Sequence, residues 1–384
     1  MKVAQVILRE SQDLRAGLLP LQALAPDLLL VFAPAGLLQA INSPLTELFP
    51  HAARAGCTTA GEISNEGVSD QSCVVTALHF EQGTRVLESS ARLLDMADSQ
   101  DAGHLMGSQL PKTDLRAVLV LGQGVEINGS AMIQGLTQAL GAHIPLVGGL
   151  AGDAAAFKET WVLGSAGVRK DQLVCLGFYG PRLSFSHGSF GGWSPFGPAR
   201  KVTRAENNVL FELDGEPALE IYKRYLGDYA KDLPASGLLF PFAMLGSDHN
   251  EVGLIRTILG VDEAAGSMTL AGDIDPEGYL RLMHASTDAL VEGAESAAMA
   301  AQQMETLRAS AAGGDSLVLL VSCVGRKLVM GGRVDEEVEA VGDVFKQGAT
   351  LAGFYSYGEI SPFVGSSNCK LHNQTMTITH LAET

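Results

Sequence analysis

Cysteine is scarce in this chain. There are five in 384 residues (Cys57, Cys73, Cys175, Cys323 and Cys369), odd in number, scattered and never spaced as Cys-x-x-Cys. That pattern speaks against a disulfide framework and against a structural zinc site, and points to the reduced thiols of a cytoplasmic protein. Positive charge is short as well, with 26 Lys and Arg against 43 Asp and Glu and a net charge of −17. So acidic a chain cannot gain affinity by neutralising phosphates, which excludes nucleic acid and anionic membrane surfaces as expected partners. Long apolar runs are missing too. A long uncharged stretch, 28–45, is broken by Pro34, Gly36, Asn42 and Pro44, so no insertion into a membrane is expected. The first apolar run stops at Arg9 and Glu10, too early for a secretory signal. The GxxxxGK[ST], HExxH and GxSxG signatures are absent, and Gly122-x-Gly124 lacks the third glycine of a dinucleotide loop.

What the chain does have is apolar material and glycine. Apolar residues make up 46%, enough for packed cores, and the length suits two or three domains. The 44 glycines announce many turns and close backbone approaches.

One pattern recurs three times. An apolar burst opens it, at Asp27-LLLVFAP, Asp114-LRAVLVLGQG and Asp315-SLVLLVSCVGR, each reading as a buried strand. A helical stretch follows at 37–49, 130–140 and 335–346; in the last, Val338, Val341 and Phe345 share one face. A short strand then enters glycine. Gly56 and Gly353 each stand five residues before a Gly-Glu-Ile-Ser, and Gly148 leads to Gly152-Asp153 in a shorter middle copy. Return strands are expected at 73–80, 172–179 and 371–381. The whole predicts an α/β fold of repeated strand–helix–strand–strand units with sheets covered by helices. The breaker cluster from Gly191 to Pro198 is the best boundary, giving domains at 1–200 and 201–384.

Three constellations carry chemistry. The first is the carboxylate that ends each repeat, Glu62, Asp153 and Glu359, held after glycine at a strand end. It suits either a ligand's amine or an internal ion pair. The second is Ser322-Cys323-Val324-Gly325-Arg326, where a guanidinium beside Cys323 would lower the thiol's pKa, unless Cys323 is simply buried and Arg326 pairs with a carboxylate such as Glu359. The third is the run 371–381, where alternation places His372, Met376, Ile378 and His380 on one face and Asn373, Thr375 and Thr377 on the other.

Taken together, GCTTAGEIS at Gly56, GGLAGD at Gly148, LFPFAM at Leu239, SCVGR at Ser322, GFYSYGEIS at Gly353 and LHNQTMTITHL at Leu371 resemble the FIST proteins over nearly the whole chain. The resemblance implies a sensory module of signal transduction, with a FIST N-terminal and a FIST C-terminal domain, that binds a small ligand such as an amino acid. It implies Cys57, Glu62, Asp153, Cys323, Arg326, Glu359, His372 and Asn373 as pocket residues. Stand-alone bacterial members include haem proteins that sense nitric oxide and regulate a histidine kinase. On that resemblance haem b is an expected cofactor, with His372 as first choice for the iron and the loop histidine His249 as another. No output domain is visible, so a separate partner such as a histidine kinase is expected. The competing readings are a cysteine-dependent hydrolase or transferase, using Cys323 with His372 as base and Glu359 as orienting carboxylate, and a structural adaptor.

Overall fold

The computed structural model describes residues 1–307, 314–345, 348–363 and 368–384. The Ala-rich segment 287–308, which reads in the sequence as the longest helix, and the stretch 335–346 are present as Thr287–Leu307 and Asp335–Phe345, and Arg308 and Lys346 lie outside the described residues.

Three units share one plan. Each opens on a strand (Lys2–Arg9, Arg85–Arg92, Leu183–Phe190), and after a helical passage runs into an apolar second strand (Leu28–Phe32, Leu115–Gly122, Ser316–Cys323). A helical crossover (Ala35–Leu48; Gly129–Leu140; Val324–Met330 with Asp335–Phe345) leads to a parallel third strand (Ala53–Cys57, Leu146–Leu150, Ala349–Ser356). Next comes a hairpin: Glu62–Ser64 with Gly67–Ser69, Val162–Gly164 with Gly167–Arg169, or Gly358–Pro362 with Cys369–His372. A sixth strand closes the unit (Ser72–His79, Gln172–Tyr179, Met376–Glu383). The fold is therefore α/β, as the repeat predicts.

Within each sheet the order is first, sixth, second, third. The hairpin does not stay in its own sheet. The first unit's sheet is extended by the second unit's hairpin, the second by the third's, and the third by the first's, so three six-stranded sheets close into a ring. Alternation along the second strands explains the layering. Leu28, Leu30 and Phe32, Leu119 and Leu121, and Leu317 and Leu319 meet in one central core, where Phe32 stacks on Phe354 with ring centres 4.7 Å apart. The alternate residues Val31, Val120 and Leu320 face outer layers.

Residues 194–284 form a separate nine-stranded sheet inserted after the third unit's first strand, with its own core around helix Ala218–Leu226. Its hairpin pairs Ile258–Asp262 with Ser267–Leu270, while Glu251–Arg256 pairs with Phe242–Leu245.

Two sequence expectations change here. The run 371–381 is not one strand: Cys369–His372 and Met376–Glu383 belong to different sheets, separated by a turn in which Gln374 has φ +64°. His372 therefore does not share a strand face with Met376 and Ile378. Nor is Asp153 the middle counterpart of the two glutamates. Gly56, Gly148 and Gly353 lie opposite Leu163, Ile360 and Ile63 in the respective sheets, so the residues before those three correspond. They are Val162, Glu359 and Glu62.

Candidate ligand site

The turn after the third unit's hairpin meets the inserted sheet, and between them lies a cavity of about 420 Å³. Phe190 and Trp193 line it at the end of the third unit's first strand, Met244, Leu254, Ile255 and Met283 line it from the insert, and Phe363, His372 and Thr375 from the hairpin and its turn. Ala243 and Met244 belong to the LFPFAM motif, so part of the insert's contribution was marked in the sequence. Trp193 and Met283 carried no such mark.

His372 is buried beside Phe363, whose ring meets the imidazole edge-on at 5.2 Å. Its Nε2 lies 2.9 Å from the carbonyl oxygen of Ser361. A carbonyl only accepts, so Nε2 carries the proton. Burial pulls the pKa down to about 4, leaving the ring neutral near pH 7, with Nδ1 unpartnered among the described residues.

Behind Thr375 sits the second carboxyl of the repeat. Glu359 Oε2 accepts the Thr375 N–H (3.1 Å) and hydroxyl (3.0 Å), and Oε1 accepts the Ser356 hydroxyl (2.7 Å). Burial outweighs these donors and raises Glu359 to about 7. The first unit repeats the device. Glu62 accepts from the Thr59 hydroxyl (2.5 Å) and from the Ser72 N–H (3.0 Å) and hydroxyl (3.1 Å), and burial again raises it to about 7. Across the hairpins Glu62 stands opposite Ser69 and Glu359 opposite His372, and each turn has a glutamine at φ near +60° (Gln71 +63°, Gln374 +64°). Gly-Glu-Ile-Ser is thus a hairpin whose carboxyl caps the start of the sixth strand.

The other sequence-selected residues are distributed as follows. Asp153 caps its own loop, accepting the N–H groups of Phe157 (2.8 Å), Lys158 (2.7 Å) and Glu159 (2.9 Å) and the Tyr357 hydroxyl. Cys57 is buried in the central core, and burial pushes its thiol pKa up. Arg326 is fully buried, but its carboxylate partner is Glu337, reached at 3.1 Å through Nε and 2.7 Å through Nη2, rather than Glu359. It also donates to the carbonyls of Leu290 (2.8 Å) and Gly191, and so holds Gly191 at the cavity wall. Cys323 has a raised pKa, not a lowered one. Burial and the adjacent Glu359 outweigh Arg326 there, because Glu337 already balances the guanidinium. Asn373 is wholly buried with neither amide atom paired, and Gln374 beside it donates to Leu238 O at 2.9 Å.

The structure thus gathers Cys323, Glu359, His372 and Asn373 about one turn, sets Arg326 one layer behind, and leaves Cys57, Glu62 and Asp153 elsewhere. Cys323 is tied into that turn, its N–H donating to Thr375 O at 3.1 Å. A cysteine–histidine–glutamate relay is not formed, since His372 donates to a backbone carbonyl and the thiol is held protonated. Among the described residues no His, Cys, Asp or Glu side chains gather as a metal-binding group, and no helix is long and apolar enough to cross a membrane.

Comparison with known proteins agrees with the repeated motifs. A FIST N domain matches residues 27–216 and a FIST C domain matches residues 218–362. The chain belongs to the FIST family. FIST domains suggest a sensory role that binds small ligands, and the cavity lies where the inserted sheet meets the rest of the chain. An uncharacterized protein of Methanocaldococcus jannaschii is 36% identical over 88 residues, covering 23% of this chain and 17% of its own length. Uncharacterized proteins from two strains of Mycobacterium tuberculosis are 27% identical over 221 residues, 55% of either chain. This chain therefore spans little more than half of the curated relatives at most. Among solved structures, a cyanuric acid hydrolase from A. caulinodans aligns over 100% of this chain and 98% of its own at 10% identity, with a TM-score of 0.37.

Proposed function

We propose that this FIST protein is a cytoplasmic sensor whose small ligand seats in the cavity between the inserted sheet and the turn at 373–375. The observation that carries this reading is the composition of the wall. Two separately cored bodies supply it, so an occupant bridges them and can set how the insert sits on the ring. Its size falls within the range of ligand pockets, about 300–1,000 Å³. The signal passes to a protein partner, for which a histidine kinase with a basic docking face suits a chain of net charge −17. Mass spectrometry of protein purified from its host should find a bound small molecule. Finding none in wild type, and no difference in retained ligand between wild type and a cavity-filling Ala243→Phe variant, would remove the reading.

One observation favours a haem b form of the same sensor: the neutral imidazole of His372 in an aromatic wall. Haem needs a neutral nitrogen, apolar surroundings and a place for two propionates. His372 would hold the iron, Trp193, Phe363 and Ile255 would flank the ring, and among the described residues no Lys or Arg lines the cavity, which leaves the propionates to solvent. When bound, the group supplies nitric oxide capture at ferrous iron. Haemin added to purified protein should shift the Soret band saturably, and His372→Ala should abolish the shift. No shift in wild type discards haem and leaves the cavity to another ligand.

A further inference from the structure

Resting on the sensor reading, we infer that the cavity takes an uncharged, flat, largely apolar molecule that offers N–H or O–H donors to His372 and Thr375, and that it does not take a free amino acid.

Among the described residues no charged side chain lines the cavity. Of the charges near the wall, Arg281 stands opposite Ala243 on the neighbouring strand and is not among the lining residues, and three others are already committed. Arg256 donates to the carbonyls of Asp273 (3.1 Å), Ile255 (3.2 Å) and Leu371 (3.2 Å). Arg326 is paired with Glu337, and Glu359 is capped by Ser356 and Thr375. An amino acid would bring an ammonium and a carboxylate against a wall whose described lining residues carry no charge to pair either one, and burying an unpaired charge is strongly unfavourable.

Two of the wall's polar side chains, His372 and Thr375, offer only acceptors, while the Ser189 hydroxyl at the same wall can donate or accept. His372 uses its proton on Ser361 O, so its remaining nitrogen presents a lone pair. The Thr375 hydroxyl of the wall donates to Glu359, so its oxygen is likewise free only to accept. Trp193 offers no side-chain donor, because its Nε1–H is bound to Gln374 O at 2.7 Å. A ligand that matches this edge must donate. The remaining surface is aromatic and aliphatic, which favours a planar apolar body stacked between Trp193 and Phe363.

Calorimetry on the full chain with three related probes tests the inference: indole, 1-methylindole and tryptophan. Indole has the flat body and one N–H, 1-methylindole lacks the donor, and tryptophan adds the two charges. Indole should bind saturably, 1-methylindole about tenfold more weakly for the lost hydrogen bond, and tryptophan should give no saturable heat. Thr375→Val should weaken indole towards the level of 1-methylindole. Because that change also disturbs Glu359, Ala243→Phe serves as an independent block and should abolish indole binding. Equal binding of indole and 1-methylindole overturns the acceptor edge. If tryptophan binds as well as indole, and Ala243→Phe blocks it, the ligand class falls while the sensor reading stands. If none of the probes binds, the inference falls, and host-purified protein carrying no retained small molecule would bring down the sensor reading with it.

Discussion

At the scale of single residues the chain keeps several ionisable groups in unusual states, and their signs differ. Glu62 and Glu359 sit near 7 when folded against an ordinary 4.5. The folded state therefore holds protons that the unfolded chain releases. Their contribution to stability is fully present below 4.5 and is lost as pH rises through 7. His372 and His380, held near 4 against 6.5, act in reverse and cost stability as pH falls through that window. Urea midpoints of wild type and a Glu62→Gln/Glu359→Gln variant, measured from below 4.5 to above 7, should converge or cross in the variant's favour as pH rises. A difference that does not change with pH would show that these carboxyls titrate normally. Arg326 makes a second prediction. Arg326→Met leaves Glu337 buried without its partner and should cost about 3–5 kcal/mol by urea unfolding, with part of the loss recovered in Arg326→Met/Glu337→Met.

At the scale of elements, the motif glycines of the third strands answer a packing demand. A Cβ at Gly56, Gly148 or Gly353 would lie 2.1, 2.0 or 1.8 Å from the carbonyl oxygen of Val31, Val120 or Leu320 on the neighbouring strand. Backbone cannot swing aside as a long side chain does. Gly353→Ala should therefore cost about 3 kcal/mol in thermal or chemical unfolding. Gly36 in helix Ala35–Leu48 has nothing within 4 Å of a would-be Cβ, so Gly36→Ala should be neutral or stabilising by up to about 1 kcal/mol. The hairpins make a parallel point. The same four-residue motif, Gly-Glu-Ile-Ser, places its carboxyl identically in two units, yet only the third unit's copy is covered by the insert at a cavity.

At the scale of the molecule, the exchanged hairpins tie the three units into one cooperative ring. A fragment of residues 1–82 contains four strands of the first sheet, but it lacks the second unit's hairpin and has no sheet to receive its own. It should show no cooperative melt by circular dichroism, whereas the full chain should. A cooperative melt of the fragment would mean that each unit is stable without its neighbours.

The three apolar second strands, the helical stretches at 37–49, 130–140 and 335–346 and the glycine approaches were legible in the sequence, because period and composition are local properties, whereas the short helix Val324–Met330 was not. So was the pairing of the two Gly-Glu-Ile-Ser copies. The true middle counterpart, Val162, was not legible, since an apolar residue at that register leaves no chemical mark and Asp153 stood nearby as a decoy. The break at Gln374 escaped for a similar reason: a polar residue at positive φ is permitted by its surroundings, here the Trp193 and Cys323 hydrogen bonds to the turn's carbonyls. Sequence alone thus determined the repeat, the α/β class and the residues rich in chemistry. Only the tertiary structure decided which of them meet, because the partner of Arg326, the exchange of the hairpins and the wall facing His372 are all contacts between segments far apart in the chain.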